Sequence, residues 1–273
     1  MDKEIRVDNR RLFYRSRGEG PVLVLVHGFG EDGRVWAGQA GPLADRYRVI
    51  VPDLPGSGRS DLMPGAAIED LADQVHILLE RELGTRQDLL NERVILVGHS
   101  LGGYIALAYA ERYPDSLLGL GLFHSTAYPD SEEKIAVRRR GIDLIREYGA
   151  AAFLKTSSPG LFSPLTRERR PGLVEEFLAG QSNFSAEALV CYYEAMIRRP
   201  DRRNILQRAA VPVLFVAGKS DGAVPLRQSL EQGHLAAISY FHILKESGHM
   251  GMLEEPGKSR DILDAFCRGS AHI

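Results

Sequence analysis

The stretch Val94-Ile95-Leu96-Val97-Gly98-His99-Ser100-Leu101-Gly102-Gly103-Tyr104-Ile105-Ala106-Leu107-Ala108-Tyr109-Ala110 decides the fold. Its first four residues form an apolar run suited to a strand, and the residues from Tyr104 onward favour a helix, so the chain turns sharply between Gly98 and Gly102. A G-x-S-x-G turn in that setting puts the serine on a strained corner, with glycines where a side chain would collide with neighbouring backbone. Ser100 is therefore expected to expose its hydroxyl at the carboxyl end of a strand. The amide of Leu101, at the start of the helix, is expected to point into the same space and to stabilise an oxyanion. The pentapeptide alone is weak evidence in a chain rich in glycine and serine; the strand before it and the helix after it supply the context it requires.

Upstream, Glu4 to Val7 and Arg11 to Arg17 alternate around Asp8-Asn9, the pattern of an antiparallel hairpin. The continuous run Val22 to Val26 suits a strand covered on both faces, and it ends in His27-Gly28-Phe29-Gly30. Val35, Trp36 and Leu43 fall at helical spacing, Arg48 to Val51 make a short strand, and Pro52 to Gly58 a turn-rich loop. Ile68 to Leu83 reads as an amphipathic helix ending at Gly84. Downstream of the elbow, Leu117 to Phe123 is a further strand, after which residues 125–208 are helical, charged and cut by prolines. The strand rhythm returns at Val213 to Ala217 and Ile238 to Leu244, with helices from about Leu226 and from Gly257 to Arg268. The economical reading is an α/β chain with a mostly parallel sheet of about eight strands and helices on both faces. Residues 1–124 and 209–273 would form its core, with 125–208 a helical insertion.

Composition narrows the function. With 34 basic and 36 acidic residues the formal charge is −2, which gives no electrostatic ground for binding nucleic acid or an anionic membrane surface. Cys191 and Cys267 have no metal-ligand spacing and read as small buried hydrophobes. The charged N-terminus lacks the apolar core of a signal peptide and no run is long enough to span a bilayer, so a cytoplasmic protein is expected. Monomer and homodimer are both compatible with the sequence.

A serine hydroxyl needs a base, and the base needs a group to orient it. Of the eight histidines, His76, His234 and His242 lie on predicted helices or strands, and His272 is at the chain end. His27 and His99 sit inside backbone turns. His249, in Glu246-Ser247-Gly248-His249-Met250-Gly251, follows the last strand at the edge where parallel sheets place their sites. Asp221 follows the strand Val213 to Ala217 in the same way, giving the chain order Ser100, Asp221, His249. His124 is the rival base and Asp130 the reserve acid, both after Phe123. The glycines of His27-Gly28-Phe29-Gly30 let that loop turn the amide of Phe29 towards Ser100 as the second oxyanion donor.

The ordered motifs HGFG, DLPGSGRSD, GHSLGG, SDGAVP and SGHMGMLEEP resemble those of the α/β-hydrolase fold family from Ile5 to about Arg268. The resemblance implies Ser100 as nucleophile, Asp221 as acid, His249 as base, the Phe29 and Leu101 amides as oxyanion hole, and residues 125–208 as a cap. It further implies that Asp53 is structural. The expected chemistry is two-step acyl transfer on a small-molecule carboxylic ester, with no metal and no organic cofactor. A dehalogenase or epoxide hydrolase would need a carboxylate at Ser100. Thioesterase, amidase, lactonase or carbon–carbon bond hydrolase chemistry on the same triad remains open, as does a receptor that has reused the fold. Possible substrate-facing residues are His124, His99, Phe162 and Tyr192, with Phe153, Leu154, Leu161, Phe177, Leu178 and Tyr193 as further cap candidates. The arginine clusters at 138–140, 167–170 and 198–203 read as a solvated face; an arginine turned inward would favour an anionic acyl group or a carrier-protein-bound substrate.

Overall fold

Asp8 and Asn9 both adopt positive φ (48° and 65°), as the first turn of the chain requires, and close a hairpin between β1 (Asp2–Val7) and β2 (Arg10–Arg17). The structure is a computed structural model that describes residues 1–84, 86–181 and 184–270, so His272 lies outside the described residues. Six further strands follow: β3 (Val22–Val26), β4 (Arg48–Pro52), β5 (Val94–His99), β6 (Leu117–Phe123), β7 (Val213–Gly218) and β8 (Ser239–Leu244). They form an eight-stranded sheet in the order β1-β2-β4-β3-β5-β6-β7-β8. β2 is antiparallel to β1 and β4, and all other pairs are parallel.

The apolar runs are continuous because each strand faces a core on both sides. Val22, Val24 and Val26 share one cluster with Val94 and Leu96, covered by α2 (Ile68–Leu83) and α4 (Leu101–Arg112). Leu23, Leu25, Ile95 and Val97 point the other way, into a cluster closed by α1 (Ala37–Leu43) and α12 (Pro256–Ser270). Each such buried side chain contributes about 1.5–3 kcal/mol before chain entropy is charged against it. A short polar helix, α3 (Arg86–Glu92), precedes β5. Val35 and Trp36 fall in a 3₁₀ turn, Gly33–Trp36, and only Leu43 lies in α1.

Between β6 and β7 the chain forms α5 (Glu132–Ser157), α6 (Pro164–Arg169), α7 (Pro171–Gly180), α8 (Ala186–Arg198) and α9 (Arg203–Arg208). α5 is broken at Gly149, whose φ of 82° lies outside the helical region, and it packs on α8. After β7 come α10 (Leu226–Gly233) and, following β8, the short α11 (Gly251–Glu254). Among the described residues no helix is long and apolar enough to cross a membrane.

The register sets the site. Val26 pairs with Gly98, His99 with Phe123, Phe123 with Val216, and Gly218 with Leu244. The carboxyl ends of β3, β5, β6, β7 and β8 therefore align along one edge, and the loops leaving them carry Phe29, Ser100, His124, Asp221 and His249.

Candidate active site

Ser100 stands between β5 and α4 with φ 52° and ψ −113°, a conformation that costs a non-glycine residue about 1–3 kcal/mol. It is held there from three sides: its N–H donates to the Phe123 carbonyl at 3.0 Å, and its carbonyl accepts from Gly103 N–H at 2.9 Å and Ser125 Oγ at 2.7 Å. The turn is too tight for side chains on either flank. A Cβ at position 98 would lie 2.0 Å from the Gly102 carbonyl oxygen, and one at 102 would lie 2.5 Å from that of Val26. Leu101 opens α4, so its amide belongs to the first helical turn, which has no partner within the helix.

Asp221 is buried, and both of its oxygens are used. Oδ1 accepts from the amides of Ala223 and Val224 at 2.8 and 2.9 Å, and Oδ2 accepts from Nδ1 of His249 at 2.9 Å and Nδ1 of His124 at 3.0 Å. Burial alone would push this carboxyl up. The pull of His249 and the two imidazole hydrogen bonds outweigh it and hold the group ionised, well below the usual carboxylate range. His249 thus commits Nδ1 to Asp221 and leaves Nε2 as the nitrogen not so committed. His124, Asp221 and His249 form a cluster whose potential ligand atoms lie within 4.8 Å of one another, but the two Nδ1 atoms meet on one carboxylate oxygen as hydrogen bonds. Such a cluster would have to surrender both N–H donors to accept a metal.

Other features of the site were not legible in the sequence. Glu31 Oε2 accepts from the Gly28 amide at 2.8 Å and from His99 Nδ1 at 3.0 Å, while His99 Nε2 donates to the His249 carbonyl at 2.9 Å. This buried pair links the loop after β3, the end of β5 and the loop that carries His249. Burial raises the Glu31 carboxyl and lowers the His99 imidazole, but their mutual attraction reverses both, so the acid sits below and the histidine above its ordinary value. Glu254, also buried, accepts from the amides of Gly248, Met250 and Ser163, and the His249 amide donates to the Leu161 carbonyl at 2.6 Å. The His249 loop is thereby tied to the helical segment.

The remaining expected residues have other employment. Tyr192 does not present its hydroxyl to a substrate: the group donates to the Pro55 carbonyl at 2.7 Å and lies 2.8 Å from Ser57 Oγ, fastening α8 to the loop after β4. Phe162 is buried edge-on against Phe177 in the cluster beneath α1 and α12, and both ring nitrogens of His99 are engaged. The residue beside Tyr192 does approach the site. Tyr193 stacks on Phe29 with ring centres 4.3 Å apart, and Phe153 meets both rings edge-on. Leu154 packs against Gly30, where a Cβ would lie 2.8 Å from its Cδ2. Phe29 itself sits between Gly28 and Gly30, the latter at φ 67° with its carbonyl held by Gln181 Nε2 at 2.8 Å. His27 turns away, with Nδ1 donating to the Gly28 carbonyl and Nε2 accepting from Leu54 N–H. Asp53 is a clasp for Arg15, Gly33 and Arg59.

The arginine clusters are not a uniformly solvated face. Arg167, Arg169 and Arg170 are exposed, but Arg138, Arg199 and Arg202 are buried. Asp130 takes Arg138 at 2.5 Å and Arg199 at 2.9 Å, and Arg202 is paired with Glu69 and Glu111. Each of these inward cations has a carboxylate partner, with Arg138 and Arg199 sharing the single carboxylate of Asp130, which leaves Asp130 occupied. Two clefts flank the site. One of about 470 Å³ is lined by Gly30, Glu31, Arg34, Phe177, Gln181 and Leu253, and one of about 640 Å³ by Thr126, Tyr128, Lys134, Arg199 and Ala223 among others. A larger one, about 680 Å³, lies at the opposite end of the strands around Gly20 and Arg48, away from Ser100, Asp221 and His249.

The chain belongs to the alpha/beta hydrolase family, whose pattern matches residues 23–260. It is 30% identical over 280 residues to an uncharacterized protein of Mycobacterium tuberculosis, covering 95% of this chain and 79% of that protein. It is also 29% identical over 269 residues to the pimeloyl-[acyl-carrier protein] methyl ester esterase of Vibrio cholerae, covering 94% and 95% of the two chains. Among solved structures, a malate-bound thermophilic esterase from Thermogutta terrifontis superimposes with a TM-score of 0.90 at 30% identity over 99% of both chains.

Proposed function

We propose that the chain is a serine hydrolase acting on a small carboxylic ester by two-step acyl transfer. Ser100 is the nucleophile, His249 the base and Asp221 the group that orients it. The observation that carries this reading is a serine at φ 52° on a strand–helix corner, with a histidine on a buried, ionised carboxylate two loops away on the same sheet edge. The ring of His249 lies 4.8 Å from that of His99, the residue before the serine, which supports its nearness to the nucleophile.

His249 Nε2 takes the Ser100 proton as Oγ attacks the ester carbonyl, and Asp221 stabilises the imidazolium that forms. The amides of Leu101 and Phe29 hold the oxyanion, the alcohol leaves with the proton from Nε2, and water activated by the same nitrogen releases the acid. No metal or organic cofactor enters these steps. We read residues 125–208 as a cap on a core of residues 1–124 and 209–273, with Phe153 and Tyr193 over Phe29 offering an apolar, aromatic wall. The esterase relatives favour an ester as the substrate. Release of p-nitrophenol from C2 to C8 acyl esters tests this: the expected result is turnover that peaks at one chain length. Absence of release, with folded protein and no covalent labelling by a fluorophosphonate, would reject it.

A further inference from the structure

Among the described residues, five other than glycine adopt positive φ. Asp8 and Asn9 make the hairpin and Arg93 follows α3, but Ser100 and His124 (φ 49°) stand side by side at the ends of the paired strands β5 and β6. Strain retained at a site edge asks for a use, and that of Ser100 is the nucleophile. The bend at His124 turns its ring inward, with its amide on the Val216 carbonyl at 2.7 Å and Nδ1 on Asp221. The ring is wholly buried, and Nε2 has no hydrogen-bond partner. Glycine on two sides makes room for it: a Cβ at 251 would come within 2.3 Å of Nε2, and one at 218 within 2.9 Å of Cε1. An apolar side chain would fill this space without stranding a ring nitrogen, so the useful atom is Nδ1.

We propose that His124 is a positioning residue for the reaction: by donating to the same Asp221 oxygen that receives His249, it divides the carboxylate's charge between two imidazoles and moderates the hold of Asp221 on the imidazolium that forms during the reaction. This rests on the Ser100, His249, Asp221 reading above. A carboxylate oxygen that accepts a second N–H pulls less on a neighbouring imidazolium, so removing that donor strengthens the pull and moves the acid limb of the activity profile upward. His124 can do this because it stays neutral. Its Nδ1 must carry the proton that faces Asp221, and burial disfavours a second proton on Nε2. The other charged or titratable groups facing the pair are His99 with Glu31, Glu254 on the base-loop amides, and Lys134, whose Nζ lies on the Ala223 carbonyl at 2.7 Å. None of these donates to Asp221 Oδ2.

The test is the pH profile of kcat/KM for p-nitrophenyl acetate in the wild type, His124→Phe and His124→Asn. Phe keeps a ring and removes the donor; Asn places an N–H near the position of Nδ1 and tolerates positive φ. The acid limb should rise by about one pH unit in His124→Phe and return to within about 0.3 unit of wild type in His124→Asn. An unmoved limb in His124→Phe, with only turnover or melting temperature reduced, would make the ring a filler and overturn the proposal. Should His124→Phe fail to fold, ¹H–¹⁵N spectra of the wild type decide: His124 must be protonated at Nδ1 alone, and a proton on Nε2 overturns the proposal. Fluorophosphonate labelling of wild-type Ser100 separates the two levels, since loss of labelling there refutes the triad, whereas labelling with an unmoved limb refutes only the role of His124.

Discussion

Two buried carboxylates at this sheet edge each hold a histidine, and the difference between them lies in the other ring nitrogen. Asp221 takes Nδ1 of His249, whose Nε2 is not committed to it. Glu31 takes Nδ1 of His99, but His99 Nε2 is already given to the His249 carbonyl. A carbonyl and a carboxylate are both acceptors, so both ring nitrogens of His99 are called on to donate, and the Glu31 carboxylate raises the imidazole's hold on its second proton. The first pair has somewhere to put a proton; the second is a strut that ties together the Gly28 loop, β5 and the His249 loop. Carboxylate plus histidine is therefore not by itself a catalytic signature.

Ser100→Ala separates chemistry from strut most sharply. Turnover should fall by roughly 10⁵–10⁶ while the melting temperature stays near wild type, because a single oxygen of a half-buried side chain is removed. Asp221→Asn should lower kcat by up to roughly 10⁴, since the amide cannot accept from His249 and stabilise its charged form equally well. Glu31→Gln should act differently. A single oxygen, Oε2, serves both Gly28 and His99, and an amide cannot compensate a buried imidazolium, so stability should drop by about 3 kcal/mol in urea unfolding. The accompanying loss in kcat should be only about 10- to 100-fold, with KM nearly unchanged.

The pH dependence of that stability loss has a defined sign. Glu31 is lowered from 4.5, so its contribution is present above that value and fades as pH falls through the folded-state value. His99 is raised from 6.5, so its contribution is complete below 6.5 and fades as pH rises through the folded-state value. The gap between wild type and Glu31→Gln should be widest between about pH 4.5 and 6.5 and narrow on either side. The smallest effect belongs to Tyr192→Phe. Losing the bond to Pro55 should cost about 1 kcal/mol and leave KM within about twofold of wild type, whereas a large rise in KM would return Tyr192 to the substrate.

The legible parts of this molecule were local. β3 and β5 announce themselves as apolar runs because both faces are buried, and the elbow because Gly98 and Gly102 answer to backbone atoms within a few residues or on the adjacent strand. Asp221 and His249 could be picked from their places just after apolar runs. Pairings through space left no such trace. Glu31 and His99 are 68 residues apart and His124 and Asp221 are 97 apart, at strand ends and in loops whose composition is ordinary. Arg138 lies next to exposed Arg139 and Arg140, and Arg199 next to exposed Arg198. Only the packing of α5 on α8, around Asp130, decides which member of each cluster turns inward. Tyr192 and Tyr193 make the same point, since adjacent helical positions face about 100° apart and the more buried ring proved to be the fastener.

Peptide mass analysis of the protein after reaction with a fluorophosphonate tests the central claim most directly. A single adduct on Ser100, greatly slowed in Asp221→Asn and unaffected in Tyr192→Phe, is the result expected of a serine activated by His249 on Asp221. An unlabelled Ser100 in folded protein, or an adduct on another residue, would contradict it.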